Sequence, residues 1–365
     1  MGVGVAGASG RVGGLPRALA TDAPPQVDLQ LPGALMGVKV REVGIEDLRA
    51  PVEREVLEVQ EALRDVVGKR HPMLLAAAEQ IFGAGGKRVR PLICLLVARA
   101  TTDASRPLCS EHNRLAMISE MIHTASLVHD DVLDSAELRR GETTVHGKFG
   151  TRVAVLAGDF LFAQSSWFLA NLENMEVIKL ISQVIADFAD GEISQAAALF
   201  NTDLSVQDYL DKSHYKTASL IAASCRSSAV FSGCSTEEKE AMYEYGKRLG
   251  LAFQVVDDIL DFTQSTEQLG KPQGQDLATG NLTAPAIYAM SKSPELVGLV
   301  KGRFAKEGDL ARAMGIISEE KGIEAAMMLA QGEGMAAKRA IEWLPESEAK
   351  TALYNMVDYV LSRLS

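Results

Sequence analysis

The chain has 365 residues, 47% of them apolar but only 5% aromatic, and a formal net charge of −11. That composition supplies a sizeable core, favours helices through its wealth of Ala, Leu, Met and Glu, and argues against nucleic acid as the main partner. Cys94, Cys109, Cys225 and Cys234 show no CxxC spacing and no metal-spaced His partner, so they read as reduced thiols, and no apolar run reads as long enough to cross a bilayer.

Residues 1–40 are rich in Gly, Ala, Val and Pro, carry Arg11 and Arg17, and contain no acid before Asp22. They fit either the remnant of an organellar transit peptide or a disordered extension, and the folded domain is expected over 41–365. Pro51 opens a run to about Val67 with Val52, Val56, Val59 and Leu63 near helical period. A second helix is predicted from Pro72 to Phe82, stopped by the glycines of GAGGKRVRP. Pro91 then starts LICLLVARA, apolar throughout and so a central helix. Further helices are predicted over Leu115–Asp134, Val153–Leu172, 175–200, 206–213, 215–231 and 236–264. Ser235-Thr236-Glu237-Glu238 reads as a capping box, and Ser293-Pro294-Glu295 as a cap followed by Pro at the first helical position. The last sixty residues continue helically, with breaks expected near Gly322, Gly332-Glu333-Gly334 and Pro345. There is no convincing strand pair. The fold class is all-α, one helical bundle with its site in a central cavity.

Two copies of one acidic pattern organise the chain: Asp130-Asp131-Val132-Leu133-Asp134 and Asp257-Asp258-Ile259-Leu260-Asp261. On a helix, Asp130/Asp134 and Asp257/Asp261 each stack a carboxylate pair on one face. A single such cluster is usually a solvated helix end, but two in matching apolar frames, each followed by basic residues, point to cations. Oxygen-only donors with no His or Cys beside them favour a hard ion, and Mg²⁺ completes its shell with water and substrate phosphates. Lys87-Arg88-Val89-Arg90 on a glycine-rich loop, and Arg139-Arg140 after the first motif, fit a diphosphate clamp. His123, two turns before Asp130, is either a satisfied core residue or a diphosphate contact.

The set GGKRVRP, HTASLVHDDVLDSAELRRG, GDFLF, KSHYKTASL and FQVVDDILDFTQSTEQLGK resembles the trans-prenyltransferases, the isoprenyl diphosphate synthases, over roughly residues 50–365. The wording is most similar to long-chain members of the plastid solanesyl diphosphate synthase type. The resemblance implies a Mg²⁺-dependent isoprenoid synthase fold that condenses isopentenyl diphosphate onto an allylic diphosphate. Asp130, Asp134 and Asp257 would hold the metal, with Asp131, Asp258 and Asp261 in support. Arg139, Lys216, Thr217, Gln254 and Lys271 would contact the allylic diphosphate, and Lys87, Arg90, His123 and Arg140 isopentenyl diphosphate. It also implies a homodimer, a plastid address (with mitochondrion or cytoplasm as alternatives), a quinone side-chain precursor as product, and peripheral association with a membrane or lipid particle for its release.

Product length is then a matter of depth below Asp130. The small Ala125 and Ser126 leave the first gate open, Ile122 and Ile118 continue the wall, and Phe162, Ser166 and Leu169 share a face with Trp167 and Phe168 as floor. The competing readings are a shorter-chain synthase such as one making geranylgeranyl diphosphate, and a non-catalytic subunit of a heteromeric synthase. A terpene cyclase is disfavoured, because the second acidic motif is kept.

Overall fold

The structure, a computed structural model, describes residues 43–66, 71–83, 87–103, 105–139, 141–264 and 273–364. The expectations placed on residues 1–40, Arg140 and Lys271 lie outside them. In order the helices are α1 (Ile45–Arg49), α2 (Glu53–Asp65), α3 (Pro72–Gly83), α4 (Val89–Thr101) and α5 (Ser110–Leu133). After a two-stranded hairpin, β1 (Leu138–Arg139) and β2 (Glu142–Thr143), come α6 (Val145–Phe149), α7 (Thr151–Ala170), α8 (Met175–Ala197) and α9 (Val206–Ser213). A π-helical turn, His214–Ala218, leads into α10 (Ser219–Phe231) and α11 (Thr236–Thr263). The rest are α12 (Gln275–Thr279), α13 (Ala284–Met290), α14 (Pro294–Lys301), α15 (Asp309–Glu319), α16 (Gly322–Ala340) and α17 (Glu348–Ser362).

The all-α reading holds, with the hairpin as its small exception: strands of two residues leave no room for an alternating pattern to show. Ser235 accepts from the Glu238 amide while Glu238 reaches back to the Ser235 amide at 2.7 Å, and Ser293 accepts from Leu296, so both caps form as read. The Gly332-Glu333-Gly334 break does not occur, for α16 runs through it. Gly334 is buried and a side chain there would press on Val357 and Leu361 of α17, so it serves close packing of two helices.

Leu92 to Ala98 of α4 are all buried, and α4 sits at the centre with α5, α10 and α17 around it. Each such Leu or Ile contributes about 1.5–3 kcal/mol by leaving water. α11 packs along α10 on one side and α16 on the other. Its crossing with α10 depends on two missing side chains: a Cβ at Gly246 would lie 2.7 Å from Ala222 Cα, and one at Gly250 2.6 Å from Ala218 Cα. The π turn therefore rests directly on α11, about two turns before its acidic motif.

A second apolar cluster lies apart from the main core. Leu115, Ile118 and Ile122 of α5 meet Leu169, Ile181, Val184 and Leu220 from α7, α8 and α10, with Phe162, Phe168 and Phe188 packed against them. Ile118 and Ile122 are both fully buried in it. Ser166 and Trp167 are not: Ser166 is exposed and Trp167 is 59% exposed, stacked edge-on against Phe168. At 100° per residue Trp167 falls about 140° from Phe162 and so points outward, whereas Ser166, about 40° from Phe162, lies at the exposed margin of the inward face.

By length and apolar character α7 matches a bilayer span, contrary to the sequence expectation. It packs extensively on α5, and its exposed face shows Val155, Leu156 and Trp167. Cys109, read as lacking a His partner, lies 3.2 Å from His112 Nδ1 in the first turn of α5, and all four thiols are free.

Candidate active site

The first acidic motif occupies the end of α5. Asp130 and Asp131 lie in its last turn, and Asp134 caps it through an amide donating to the Asp130 carbonyl at 2.8 Å. A helix C-terminus already carries partial negative charge, so three carboxylates there require cations nearby. Asp131 is buried, and Arg139 grips it with Nε at 2.7 Å from Oδ1 and Nη2 at 2.6 Å from the same oxygen. Arg139 reaches it from strand β1, because Ser135 in the left-handed region (φ 53°) turns the chain back under the helix end. Arg139 is therefore not on a helical extension of the motif.

The second motif fills the last turns of α11. Asp257 pairs with Arg363, just beyond α17, at 2.6 Å, and that guanidinium lies over the Phe253 ring. Asp258 is buried, accepting from Tyr209 Oη at 2.6 Å and from Gln254 Nε2 at 2.8 Å. Thr217 Oγ1 donates to Gln254 Oε1 at 2.6 Å, so a chain of hydrogen bonds joins the π turn to the motif. Asp261, also buried, accepts from the Asp276 amide at 3.2 Å. The extra residue of a π turn commonly marks a functional position, and here it presents both Lys216 and Thr217. Lys216 Nζ lies 2.6 Å from Glu192 Oε1 of α8.

The electrostatics join these parts. Burial pushes the Asp130 carboxyl up to about 6, with Lys216 pulling down and Glu192 and Asp134 pushing up. Asp134 is raised by burial in the same way, again opposed by Lys216. Burial and the Asp276 carboxylate push Asp258 up to about 7, against the hydrogen bonds from Tyr209 and Gln254. Asp276 acts on both Asp134 and Asp258, and Lys212 feels Asp258, Asp276 and Glu192 together, so the ends of α5 and α11 lie within one another's electrostatic reach. The negative charge there is only partly balanced by side chains.

That imbalance fits a divalent cation, as does the all-oxygen donor set. Among the described residues no three His, Cys, Asp or Glu side chains converge tightly enough to enclose an ion by themselves. A metal that shares its shell with water and a diphosphate needs no such cage.

A cleft on the near side of α5 is lined by Gln80, Arg88, Glu120, His123, Asp131 and Arg139. Arg88 is paired with the buried Glu120 and donates to the Phe82 carbonyl. Lys87 turns the other way, its ammonium 5.0 Å over the Tyr359 ring of α17, while Arg90 is half-buried. The structure thus sets His123 and Arg139 in one cleft, Lys216, Thr217 and Gln254 between the motifs, and Lys87 outside both groups. Ala125 is fully buried on the Ile118/Ile122 face of α5, and half-buried Ser126 donates to the His123 carbonyl.

Sequence reasoning placed Arg88 in the clamp but missed its partner Glu120, and it missed Glu192 and Gln195, Tyr209, Lys212, Asp276 and Arg363. Glu192 and Gln195 share a helix face with a glycine before them, a usable signal; Arg363 offers none.

Comparison with known proteins agrees with this geometry. A family model described as polyprenyl synthetase matches residues 71–317. The chain is 56% identical to solanesyl-diphosphate synthase 2, chloroplastic, of Oryza sativa subsp. japonica, over 88% of this chain and 80% of that one. It is 57% identical to solanesyl diphosphate synthase 1, chloroplastic, of Arabidopsis thaliana, over 83% and 75% respectively. Among solved structures it is similar to a polyprenyl synthase from Caulobacter crescentus in complex with calcium and isoprenyl diphosphate. That match has a TM-score of 0.82 and 32% identity, covering 89% of this chain and 99% of the other. The paired acidic motifs, the cations around them and the helical frame have one common explanation: the chain belongs to the polyprenyl synthetase family.

Proposed function

We propose that the protein is a long-chain trans-polyprenyl diphosphate synthase that adds isopentenyl diphosphate repeatedly to an allylic diphosphate, with solanesyl diphosphate as its product. What supports this reading is the link between the two acidic motifs through the π turn, where Lys216 acts on Asp130 and Asp134 and Thr217 reaches Asp258 through Gln254, with an apolar cluster along α5.

Asp130, Asp134 and Asp257 would hold Mg²⁺, whose charge offsets that growing on the departing diphosphate. Lys216, Thr217, Gln254 and Arg139, with Lys271, are assigned to the allylic diphosphate; His123 and Arg90, with Lys87 and Arg140, to isopentenyl diphosphate. Arg139 pairs with Asp131 in the same cleft that His123 lines, which brings it beside a residue assigned to isopentenyl diphosphate. The allylic C–O bond breaks, its electron pair leaving with the diphosphate. The apolar walls of α5, α7, α8 and α10 keep water from the carbocation. The isopentenyl double bond then forms the new C–C bond, and the released pyrophosphate takes the proton. The lengthening chain runs past Ala125 and Ser126, whose small side chains favour long products over a geranylgeranyl-length one.

The exposed apolar residues of α7, Val155, Leu156 and Trp167, and of α8, Met175 and Ile193, suit burial against a second copy, giving a homodimer. The chloroplastic relatives support a plastid location, and hence a plastoquinone side-chain precursor. The test supplies purified protein with isopentenyl diphosphate, Mg²⁺ and, in turn, dimethylallyl, geranyl and farnesyl diphosphate, and sizes the products by mass spectrometry. A dominant solanesyl product is expected; a geranylgeranyl end product, or none, refutes the assignment.

A further inference from the structure

We propose that Glu192 is a positioning residue of the allylic site: it anchors the Lys216 ammonium and so keeps it off Asp130 and Asp134. This rests on the reading of those aspartates as metal-binding and of Lys216 as a diphosphate contact.

Three observations carry it. First, Lys216 Nζ has its ion pair with Glu192 Oε1, at 2.6 Å, with Gln195 Oε1 of the next turn at 3.4 Å. Both partners are half-buried, 29% and 27% exposed, so the pair remains reachable from solvent. Second, the two backbones are locked together. A Cβ at Gly191 would lie 3.3 Å from the Lys216 amide nitrogen and from Tyr215 Cβ, so α8 touches the π turn at that residue. Glu192 is thereby held in register with Lys216 by packing as well as by charge. Third, Asp130 and Asp134 both lie within the field of Lys216 and of Glu192. The ammonium has three carboxylates to choose from, and Glu192 is the one it takes.

A lysine is a compact, mobile point charge on a long stem. Deprived of Glu192 it is drawn to the other carboxylates whose charge acts on it, Asp130 and Asp134, and competes there with a divalent cation. Glu192 thus reserves the first motif for metal, while its hold on Lys216 remains weak enough in this half-exposed setting to yield to an incoming diphosphate. The role of Glu192 is exerted through Lys216, and a double-mutant cycle isolates that coupling.

The experiment measures Mn²⁺ binding to the purified full chain without substrate, from the free-Mn²⁺ paramagnetic resonance signal. It compares wild type, Glu192→Gln, Lys216→Met and the double variant, each checked for native helicity by circular dichroism. Glu192→Gln is expected to weaken Mn²⁺ binding about tenfold by releasing the ammonium onto the motif, and to have no effect when residue 216 is Met. Glu192→Asp, one methylene shorter, is expected to fall between Gln and wild type, and serves if the Gln variant does not fold. Turnover supplies a second readout: Glu192→Gln should raise KM for the allylic diphosphate more than it lowers kcat. Equal weakening by Glu192→Gln in both backgrounds would mean a direct charge effect and overturns the proposal, as does unchanged binding in the wild-type background. A wild-type chain that binds no Mn²⁺ and makes no prenyl product overturns the underlying reading as well, which separates the two failures.

Discussion

Asp258 offers the sharpest test of the site's electrostatics. Its carboxyl is pushed by burial, and next by Asp276, from an ordinary 3.8 to about 7. A raised carboxyl pKa means that the folded state holds the proton where the unfolded chain has lost it. Between about pH 4 and pH 7 the folded state therefore binds more protons, and stability falls as pH rises. The shift, 7 less 3.8, is about three pH units at 1.36 kcal/mol each, so the destabilisation accumulated by pH 7 is on the order of 4 kcal/mol. Asp258→Asn removes the charge and keeps the shape; its carbonyl still accepts from Tyr209, and its amide can face a flipped Gln254. Metal-free Asp258→Asn should be several kcal/mol more stable than wild type at pH 8, the gap shrinking by more than half at pH 5. Urea unfolding in chelator at pH 5, 6.5 and 8 measures this. A variant less stable than wild type by the same amount at every pH would refute the reasoning.

Other outcomes follow from named contacts. Ala125→Phe, filling the fully buried face above Ile122 and Ile118, should shorten the product while turnover continues, as product sizing will show; unchanged length removes Ala125 from the gate. Tyr209→Phe deletes the 2.6 Å donor to Asp258 and should cost about 1.5–3 kcal/mol at pH 8, and less at pH 5, where the carboxyl is protonated. Gly250→Ala drives a methyl group against Ala218 and should shift the π turn, lowering kcat with a smaller loss of stability, read by steady-state kinetics beside thermal unfolding.

Much of the fold was legible because its signals are local. The Ser235 capping box, the Ser293-Pro294 cap and the unbroken apolar run of α4 each fix an element from within its own residues. Gly332 to Gly334 misled because a glycine signals chain breaks and close packing alike, and only the partner helix α17 decides between them. Trp167 was assigned inward on hydrophobicity alone, although its place on the helical wheel, one residue past Ser166, carries it outward. The acidic motifs were legible from spacing, but their counter-ions were not. Arg363 lies more than a hundred residues from Asp257, and Glu192 meets Lys216 only through a helix crossing at Gly191. Lys87 and Arg88 adjoin in sequence yet point to opposite sides, because Arg88, the residue just before α4, is in the left-handed region (φ 47°).

On the function proposed above, the two acidic motifs jointly hold the metal that carries the leaving diphosphate. This central claim is tested most directly by the rate of isopentenyl incorporation into farnesyl diphosphate against Mg²⁺ concentration, for wild type, Asp130→Asn and Asp257→Asn. Saturable Mg²⁺ dependence, abolished by chelator and reduced at least about a hundredfold by either substitution, is the result expected. Incorporation that persists in chelator, or that survives both substitutions at the wild-type rate, contradicts the account.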